Sequence, residues 1–506
     1  MPLDVSRPDL SLAVIGTGVM GRGIAQIAAQ AGIRVLLHDS RPGAANDAKA
    51  SISQQLSRLA EKGRLKPEEA ARADANLLIA GSLEALASCP IVIEAVVENL
   101  ETKRELFRAL EAIVAEDCLL ASNTSSFSIT AIASACKRPE RVAGFHFFNP
   151  VPLMKVVEVV DGLLTAPWVG EALAAFALRC GHKPVRAKDT PGFIVNHAGR
   201  GYGTEALRIL GEGIAEFHEV DRILRECAGF RLGPFELLDL TGLDVSHPVM
   251  ESIYRQYYEE PRYRPSPITG QRVAAGLFGR KSGSGFYRYE EGKQQEIPAP
   301  PAPAARPRRV WISPIDLGEQ LSKCVANLEV EIDTGRRPWR ESLCLVAPIG
   351  DDATSIAIDQ ELDPARTVAV DCLFGLDKRR TLMTTPVTSA QMRDAAHGLF
   401  ASDGVPVSVI HDSPGFVAQR VIAQVVNIAS DIAQQRIASP ADIDSAATLG
   451  LGYPQGPLAW GDAIGAGTVL DILEALHEFY GDPRYRPSPW LKRRALLGVS
   501  LLTAEA

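Results

Sequence analysis

Two separated groups of residues have the types and spacings that chemistry requires. The first is Gly16-Thr17-Gly18-Val19-Met20-Gly21, with Asp39 about 20 residues beyond the second glycine. A glycine-rich turn that opens a helix lets backbone N–H groups approach a pyrophosphate, and the positive helix end stabilises the anion. Gly16 would make the tight turn, Gly18 would admit the phosphates between itself and the Val19-Met20 loop, and Gly21 would let helix and strand pack closely. Asp39 would accept hydrogen bonds from a ribose 2′-OH and repel a 2′-phosphate, which points to NAD(H) rather than NADP(H). FAD is a weaker rival, since the same fingerprint serves it. The second group lies in VAGFHFFNPVPLMKVVEVV, 142–160, which holds His146, Asn149 and Glu158. A glutamate inside an apolar run is costly to bury without a partner, and His146 is the economical one. A carboxylate on one ring nitrogen fixes the tautomer and favours the imidazolium as a proton arrives, which is general acid–base chemistry. Taken singly, His146 would more often be a hydrogen-bonded core residue and Glu158 a strand edge facing water. Their pairing beside a dinucleotide loop favours catalysis.

Positioning these groups takes alternating strands and helices. Short apolar runs read as strands at 10–16, 33–39, 76–80, 91–97, 118–121, 142–145 and 155–159. Helical periodicity covers 21–32, 44–61, 67–74 and 101–115. That alternation predicts an α/β doubly wound, Rossmann-like parallel sheet with helices on both faces. His146 falls just after an apolar strand, where such folds collect their chemistry.

The rest of the chain is organised by a repeat and a linker. DTPGFIVNHAGRGYGTEAL at 189–207 matches DSPGFVAQRVIAQVVNIAS at 412–430, GPFELLD at 233–239 matches GPLAWGD at 456–462, and PRYRPSP occurs at both 261–267 and 483–489. Between the copies, 290–309 carries five prolines, which favour extended backbone. The expected domains are therefore 1–188 for the Rossmann-like unit, 189–290 for an all-α unit, 291–308 for a linker, 309–411 for a degenerate, shortened α/β segment, and 412–506 for a second copy of the all-α unit. Aligning the halves puts Asp371 where His146 would be, Phe374 at Asn149, Met383 at Glu158 and Gln419 at Asn196, and 309–411 has no G-x-G-x-x-G. The second α/β segment should therefore lack its own cofactor and catalysis. The two all-α copies would pair with each other inside one chain, or else the chain would form a homodimer.

Composition narrows the partners. The 506 residues carry a formal charge of −8, 46% hydrophobic and 23% charged residues, so the chain is globular and nucleic acid is not its main partner. No uncharged apolar run of 18 residues occurs, so no membrane span is expected. The 8 cysteines are scattered without a C-x-x-C, and no signal peptide is apparent, which suggests reduced thiols in the cytoplasm. No metal site is expected.

Four stretches in order, SNTSSFSI (122–129), GFHFFNPVPLMKVVEVV (144–160), KDTPGFIVN (188–196) and GPFELLDLTGLD (233–244), closely resemble the 3-hydroxyacyl-CoA dehydrogenases. The resemblance covers about 8–289. The total length and the repeat are similar to long bacterial members of phenylacetate and related aromatic degradation, which act on 3-hydroxyadipyl-CoA or 3-hydroxybutyryl-CoA. It implies that NAD is the cofactor and an acyl-CoA the substrate. His146 would take the 3-hydroxyl proton as hydride leaves C3, and Glu158 would orient it. Ser125 would hydrogen-bond the C3 oxygen, Asn149 would sit beside it, and Asn196 would reach back to the substrate. Glu98 and Lys103, in EAVVENLETK, would lie near the nicotinamide ribose. For the CoA phosphates, the basic segment 44–66 offers Lys62 first, with Gln55 beside it; a solvated helix face is the alternative. A gulonate-type hydroxy-acid dehydrogenase and a non-catalytic NAD-binding scaffold are the competing functions.

Overall fold

The computed structural model describes residues 3–505 and resolves into two compact units, one of 3–197 with 435–451 and one of 198–434 with 452–505. In the first unit, eight strands form one sheet: β1 (Ser11–Ile15), β2 (Arg34–His38), β3 (Leu77–Ile79), β4 (Ile91–Glu94), β5 (Leu119–Ser122), β6 (Val142–Phe147), β7 (Val156–Asp161) and β8 (Lys183–Lys188). Their order is β3-β2-β1-β4-β5-β6-β7-β8, and the reversal at β1 and β4 opens the crevice where doubly wound sheets bind ligands. Helices Val19–Gln30, Ala44–Glu61 and Leu100–Glu111 connect the strands. The strands are Val-, Ile- and Leu-rich because both faces are covered, as in sheets of this class. Leu12, Val14, Val35, Ile91 and Ile93 are fully or almost fully buried. Phe145 sits edge-on to both Phe147 and Phe176.

One pair departs from the expected parallel sheet. β7 runs antiparallel to β6, with His146 directly opposite Glu158. The reason is length. The loop between them spans 148–155, whereas a parallel crossover takes a dozen residues or more. β8 then returns parallel to β7. The helix Pro440–Gly450, distant in sequence, packs on β7 and β8 within this unit. Just before it, Ile437 accepts a hydrogen bond at its carbonyl from the Lys188 backbone N–H at 2.9 Å.

The second unit begins with helices Arg200–Gly211, Phe217–Glu226, Pro234–Thr241, Leu243–Gln256 and Pro267–Ala274. A hairpin of β9 (Tyr289–Glu290) and β10 (Lys293–Gln294) reaches four residues into the expected linker, and 295–308 holds no regular element. A six-stranded sheet follows: β11 (Arg309–Ile312), β12 (Glu331–Asp333), β13 (Leu343–Val346), β14 (Thr367–Val370), β15 (Arg380–Thr384) and β16 (Val407–Ile410), in the order β12-β11-β13-β14-β15-β16. Here too the penultimate pair, β14 and β15, is antiparallel. Helices Ala418–Gln434, Pro457–Ile464, Ala466–Tyr480 and Pro489–Leu497 close the unit.

Helix Arg200–Gly211 packs along Ala418–Gln434. Arg420, fully buried, is tied between them: its Nε donates to Glu205 Oε1 at 2.5 Å and its Nη1 and Nη2 to Glu212, Ser413, Tyr480 and Tyr485. A buried guanidinium costs little net stability only when it is paired this completely. The His411 backbone N–H donates to Ile214 O at 3.0 Å, the counterpart in this unit of the Lys188–Ile437 bond.

Candidate active site

The turn after β1 is built for close approach. Gly16 has φ +88°, open to glycine and strained for other residues. A Cβ on Gly21 would collide with the Gly16 carbonyl oxygen, so the helix can begin only if that position is bare. At Gly18 nothing lies within 4 Å of where a Cβ would point. Gly18 is the N-cap of helix Val19–Gln30, whose first turn has neither a side-chain cap nor an acidic residue. The N–H groups there need an acceptor, and the chemistry of the site fits a dinucleotide pyrophosphate.

Gly16, Gly18, His38, Asp39, Arg41, Leu83 and Thr102 line a cavity of about 500 Å³ against this turn. Asp39 Oδ2 accepts from Thr17 N at 2.9 Å and Thr17 Oγ1 at 2.8 Å, while Oδ1 accepts from Arg41 N at 3.0 Å and Nε at 3.1 Å. Burial raises the Asp39 carboxyl, but the hydrogen bonds from Arg41 and Thr17 outweigh it and hold it well below the usual carboxylate range. Asp39, expected at the ribose, also has a cationic neighbour. Arg41 is 70% exposed at its side chain and lines the same cavity.

Glu98 and Lys103 come together with Glu94, a residue the sequence argument passed over. Lys103 Nζ donates to Glu94 Oε1 at 2.6 Å and lies 3.2 Å from Glu98 Oε2. Ser122 Oγ donates to the other oxygen of Glu94 at 2.6 Å. Glu98 Oε1 gathers Thr124 Oγ1, Ser125 N, Ser126 N and Ser126 Oγ. Burial pushes Glu98 up, and the Lys103 ammonium with these hydroxyl donors brings it below its ordinary value. The pairing explains how Lys103 is tolerated at 1% exposure. Glu94 sits in the apolar run IVIEAVV, the same signal that singled out Glu158. The network fixes the loop that carries Ser125, and Asn123 Oδ1 ties that loop to β6 by accepting from Phe147 N at 2.9 Å.

His146 and Glu158 meet across β6 and β7. His146 Nδ1 lies 2.6 Å from Glu158 Oε2. The other Glu158 oxygen accepts from the backbone N–H groups of Ile194 and Val195, each at 2.8 Å. Glu158 is fully buried and His146 is 5% exposed. Phe148 and Phe193 flank the imidazole edge-on, at 4.5 and 5.9 Å between ring centres. With Nδ1 bonded to a carboxylate, that nitrogen carries the proton and Nε2 is left as the basic one. Phe193 has φ 50° in the turn of DTPGF, as Phe416 has in DSPGF. This turn aims the two N–H groups at Glu158, and Asn196 follows one residue after them.

Asn149 and Gln55 share a second, open cavity of about 260 Å³ with Arg22 and Arg58. Lys62 caps the C-terminal end of helix Ala44–Glu61, exposed and outside that lining. Two arginines, rather than Lys62, supply the cationic character there. Arg22 sits one turn into helix Val19–Gln30, where the sequence marked only the glycines.

In the second sheet, Ser313 follows β11 as Gly16 follows β1, and a Cβ on Gly318 would meet the Ser313 carbonyl oxygen. The packing glycine persists, but Ser313 and Ile315 stand where phosphate would approach. Gln419, which aligns with Asn196, donates from Nε2 to Asp371 Oδ1 at 3.0 Å and accepts from Gly350 N at 2.9 Å.

Comparison with known proteins gives the setting. The family model of the 3-hydroxyacyl-CoA dehydrogenase NAD binding domain matches residues 11–190, and that of the 3-hydroxyacyl-CoA dehydrogenase C-terminal domain matches twice, at 192–289 and 415–500. The chain is 39% identical over 491 residues to the 3-hydroxyadipyl-CoA dehydrogenase of Escherichia coli K12, covering 96% of this chain and 98% of the relative. It is 42% identical over 285 residues to the human mitochondrial hydroxyacyl-coenzyme A dehydrogenase, covering 55% of this chain and 91% of that one. The crystal structure of 3-hydroxybutyryl-CoA dehydrogenase from E. coli K12 superposes with a TM-score of 0.85 at 38% identity, covering 97% of this chain and 98% of that one.

Proposed function

The chain belongs to the 3-hydroxyacyl-CoA dehydrogenase family, and from that premise we propose how its residues carry out the NAD-dependent oxidation of a 3-hydroxyacyl-CoA to the 3-oxoacyl-CoA. Bound NAD supplies the hydride acceptor. The glycine turn and the first N–H groups of helix Val19–Gln30 hold the pyrophosphate, and Asp39 holds the adenosine ribose. His146 Nε2 takes the proton of the 3-hydroxyl as C3 gives up its hydride. Glu158 keeps the imidazole in the required tautomer and offsets the positive charge that develops on it. Ser125, Asn149 and Asn196 orient the C3 oxygen, and their donors stabilise its charge in the transition state. Arg22, Arg58 and Gln55 grip the CoA phosphates. The observation that carries this reading is the buried 2.6 Å contact between His146 Nδ1 and Glu158.

The acyl chain is that of 3-hydroxyadipyl-CoA or 3-hydroxybutyryl-CoA, by likeness to the E. coli relative and the E. coli crystal structure that carry these names, and the setting is aromatic or fatty-acid catabolism. All eight cysteines are free, which supports a reducing compartment, and no described helix is long and apolar enough to cross a membrane. We take residues 309–411 as a degenerate α/β copy and 412–506 as a second helical copy paired with the first inside one chain. The repeated family match, the antiparallel β14–β15 pair and the shared DxPGF turn support this division.

The test is steady-state oxidation of (S)-3-hydroxybutyryl-CoA and 3-hydroxyadipyl-CoA with NAD. His146→Ala and Glu158→Gln should each lower kcat by about 10²–10⁴-fold while NADH still binds. Unimpaired turnover by either variant would remove the pair from the mechanism.

A further inference from the structure

The helix Pro440–Gly450 belongs by sequence to the C-terminal repeat, yet it packs on β7 and β8 in the unit that holds His146 and Glu158. Its last residue sits against the support of Glu158. A Cβ on Gly450 would lie 2.9 Å from Val195 Cγ2, 3.2 Å from Val195 Cγ1 and 3.6 Å from Val156 Cγ1. Val195 supplies one of the two N–H groups that hold Glu158 Oε1. Val156 opens β7 two residues before Glu158, on the same face of the strand. The helix is also fastened by its leading turn, through Lys188 N to Ile437 O, at the end of the strand beside β7.

The contact has a counterpart with nothing catalytic to support. The first copy's helix Phe217–Glu226 is followed by Cys227, whose thiol donates to Arg379 O, and Ile214 O accepts from His411 N. Each repeat thus lends its helix to the sheet that precedes the other. Only in the exchange that involves Gly450 does the receiving sheet carry a His–Glu pair.

We propose that helix Pro440–Gly450 is a positioning element for the reaction, with Gly450 and Val195 as the contact that fixes Glu158 on His146. The proposal rests on the assignment of that pair as the acid–base machinery. Val195 is β-branched and has little rotamer freedom, so bulk added at 450 displaces the 194–195 backbone and turns the Glu158 carboxylate off Nδ1. Gly450 is therefore a positioning residue that acts through Val195.

The experiment uses the full chain. Gly450→Leu should lower kcat at least tenfold, with KM for NAD unchanged and the far-UV spectrum native. Gly450→Ala should give a smaller loss, and adding Val195→Ala to it should restore kcat, because room is returned where the methyl needs it. Gly467→Leu, at a helical position with nothing within 4 Å of a Cβ, should leave kcat alone. A folded Gly450→Leu with full kcat overturns the proposal. If that variant does not fold, Gly450→Ala and its double variant decide: a wild-type kcat in the first, or no recovery in the second, overturns it. If instead Glu158→Gln remains fully active, the pair itself is misassigned and the failure lies there.

Discussion

At the scale of single residues, cofactor choice turns on two side chains. In the proposed reading Asp39 excludes a 2′-phosphate by charge, but both its oxygens already accept from Arg41, so that exclusion would be partly offset at the source. Removing the carboxylate leaves a guanidinium at the mouth of the same cavity with no anion to hold, and a 2′-phosphate fits that need. Asp39→Ser should raise kcat/KM for NADP relative to NAD by roughly 10–100-fold, the worth of one or two charged hydrogen bonds. Adding Arg41→Ala should cancel most of that gain. A cofactor panel on the single and double variants measures it, and equal NADP use in both would show that Arg41 plays no part. The sequence made Asp39 readable because a strand-terminal acid follows the glycine loop at a set distance. Arg41, two residues on, carried no such marker, since exposed arginines after a strand are common. Glu158 was readable because a charged side chain in KVVEVV demands a partner. Lys62 has only its charge to mark it in the sequence, and charge on an exposed helix says little about direction.

At the scale of elements, the antiparallel β6–β7 pair brings His146 opposite Glu158, whereas the antiparallel β14–β15 pair carries no such pair. Asp371 stands at the strand end that corresponds to His146, 3% exposed. Burial raises its carboxyl to about 6, and the hydrogen bonds from Gln419 and from Leu373 and Phe374 N–H only partly oppose this. A carboxyl raised on folding binds its proton more tightly in the native state. Its burial costs nothing below about pH 4, and the cost grows until pH passes 6, reaching on the order of 3 kcal/mol. Asp371→Asn should therefore stabilise the protein at pH 7 by about 1–3 kcal/mol and not at pH 4. Urea unfolding at four pH values across that range checks it, and a gain that does not change with pH would refute it. The strands themselves were legible as apolar runs because both faces of the sheet are covered. Strand direction was not, since a run such as KVVEVV reads the same either way; the short 148–155 loop was the available clue. The packing of Pro440–Gly450 on β7 and β8 was also out of reach, because a helix shows its apolar stripe but not which surface receives it.

At the scale of the whole molecule, the duplicated helices change what an interface is for. PRYRPSP in one copy meets PRYRPSP in the other: Arg262 Nη2 donates to Arg486 O at 2.6 Å, and Arg484 Nη2 donates to Pro261 O at 3.3 Å. Arg262 also pairs with Asp431, and Arg484 with Glu205. Such near-reciprocal contact is how a two-fold dimer joins, and the intrachain pairing proposed above would make that junction within one polypeptide. If that surface is used internally as proposed, light scattering should return the mass of one 54.4 kDa chain at micromolar concentration, and a stable species of twice that mass would contradict it. The repeat was the most legible large feature, since seven identical residues in register with two other motifs do not arise by chance. Which partner each copy would choose was not, because the same apolar face serves either.

The unit that houses the acid–base pair is written in the gene as two pieces, 3–197 and 435–451. A ribosome that adds roughly 5–20 residues per second reaches the second piece some 12–48 s after finishing the first. Throughout that interval the flank of β7 and β8 is uncovered and the seat of Glu158 is unfinished. On the proposed role of helix Pro440–Gly450, the nascent dehydrogenase therefore waits, nucleotide loop complete, until that second piece has been made before it can work.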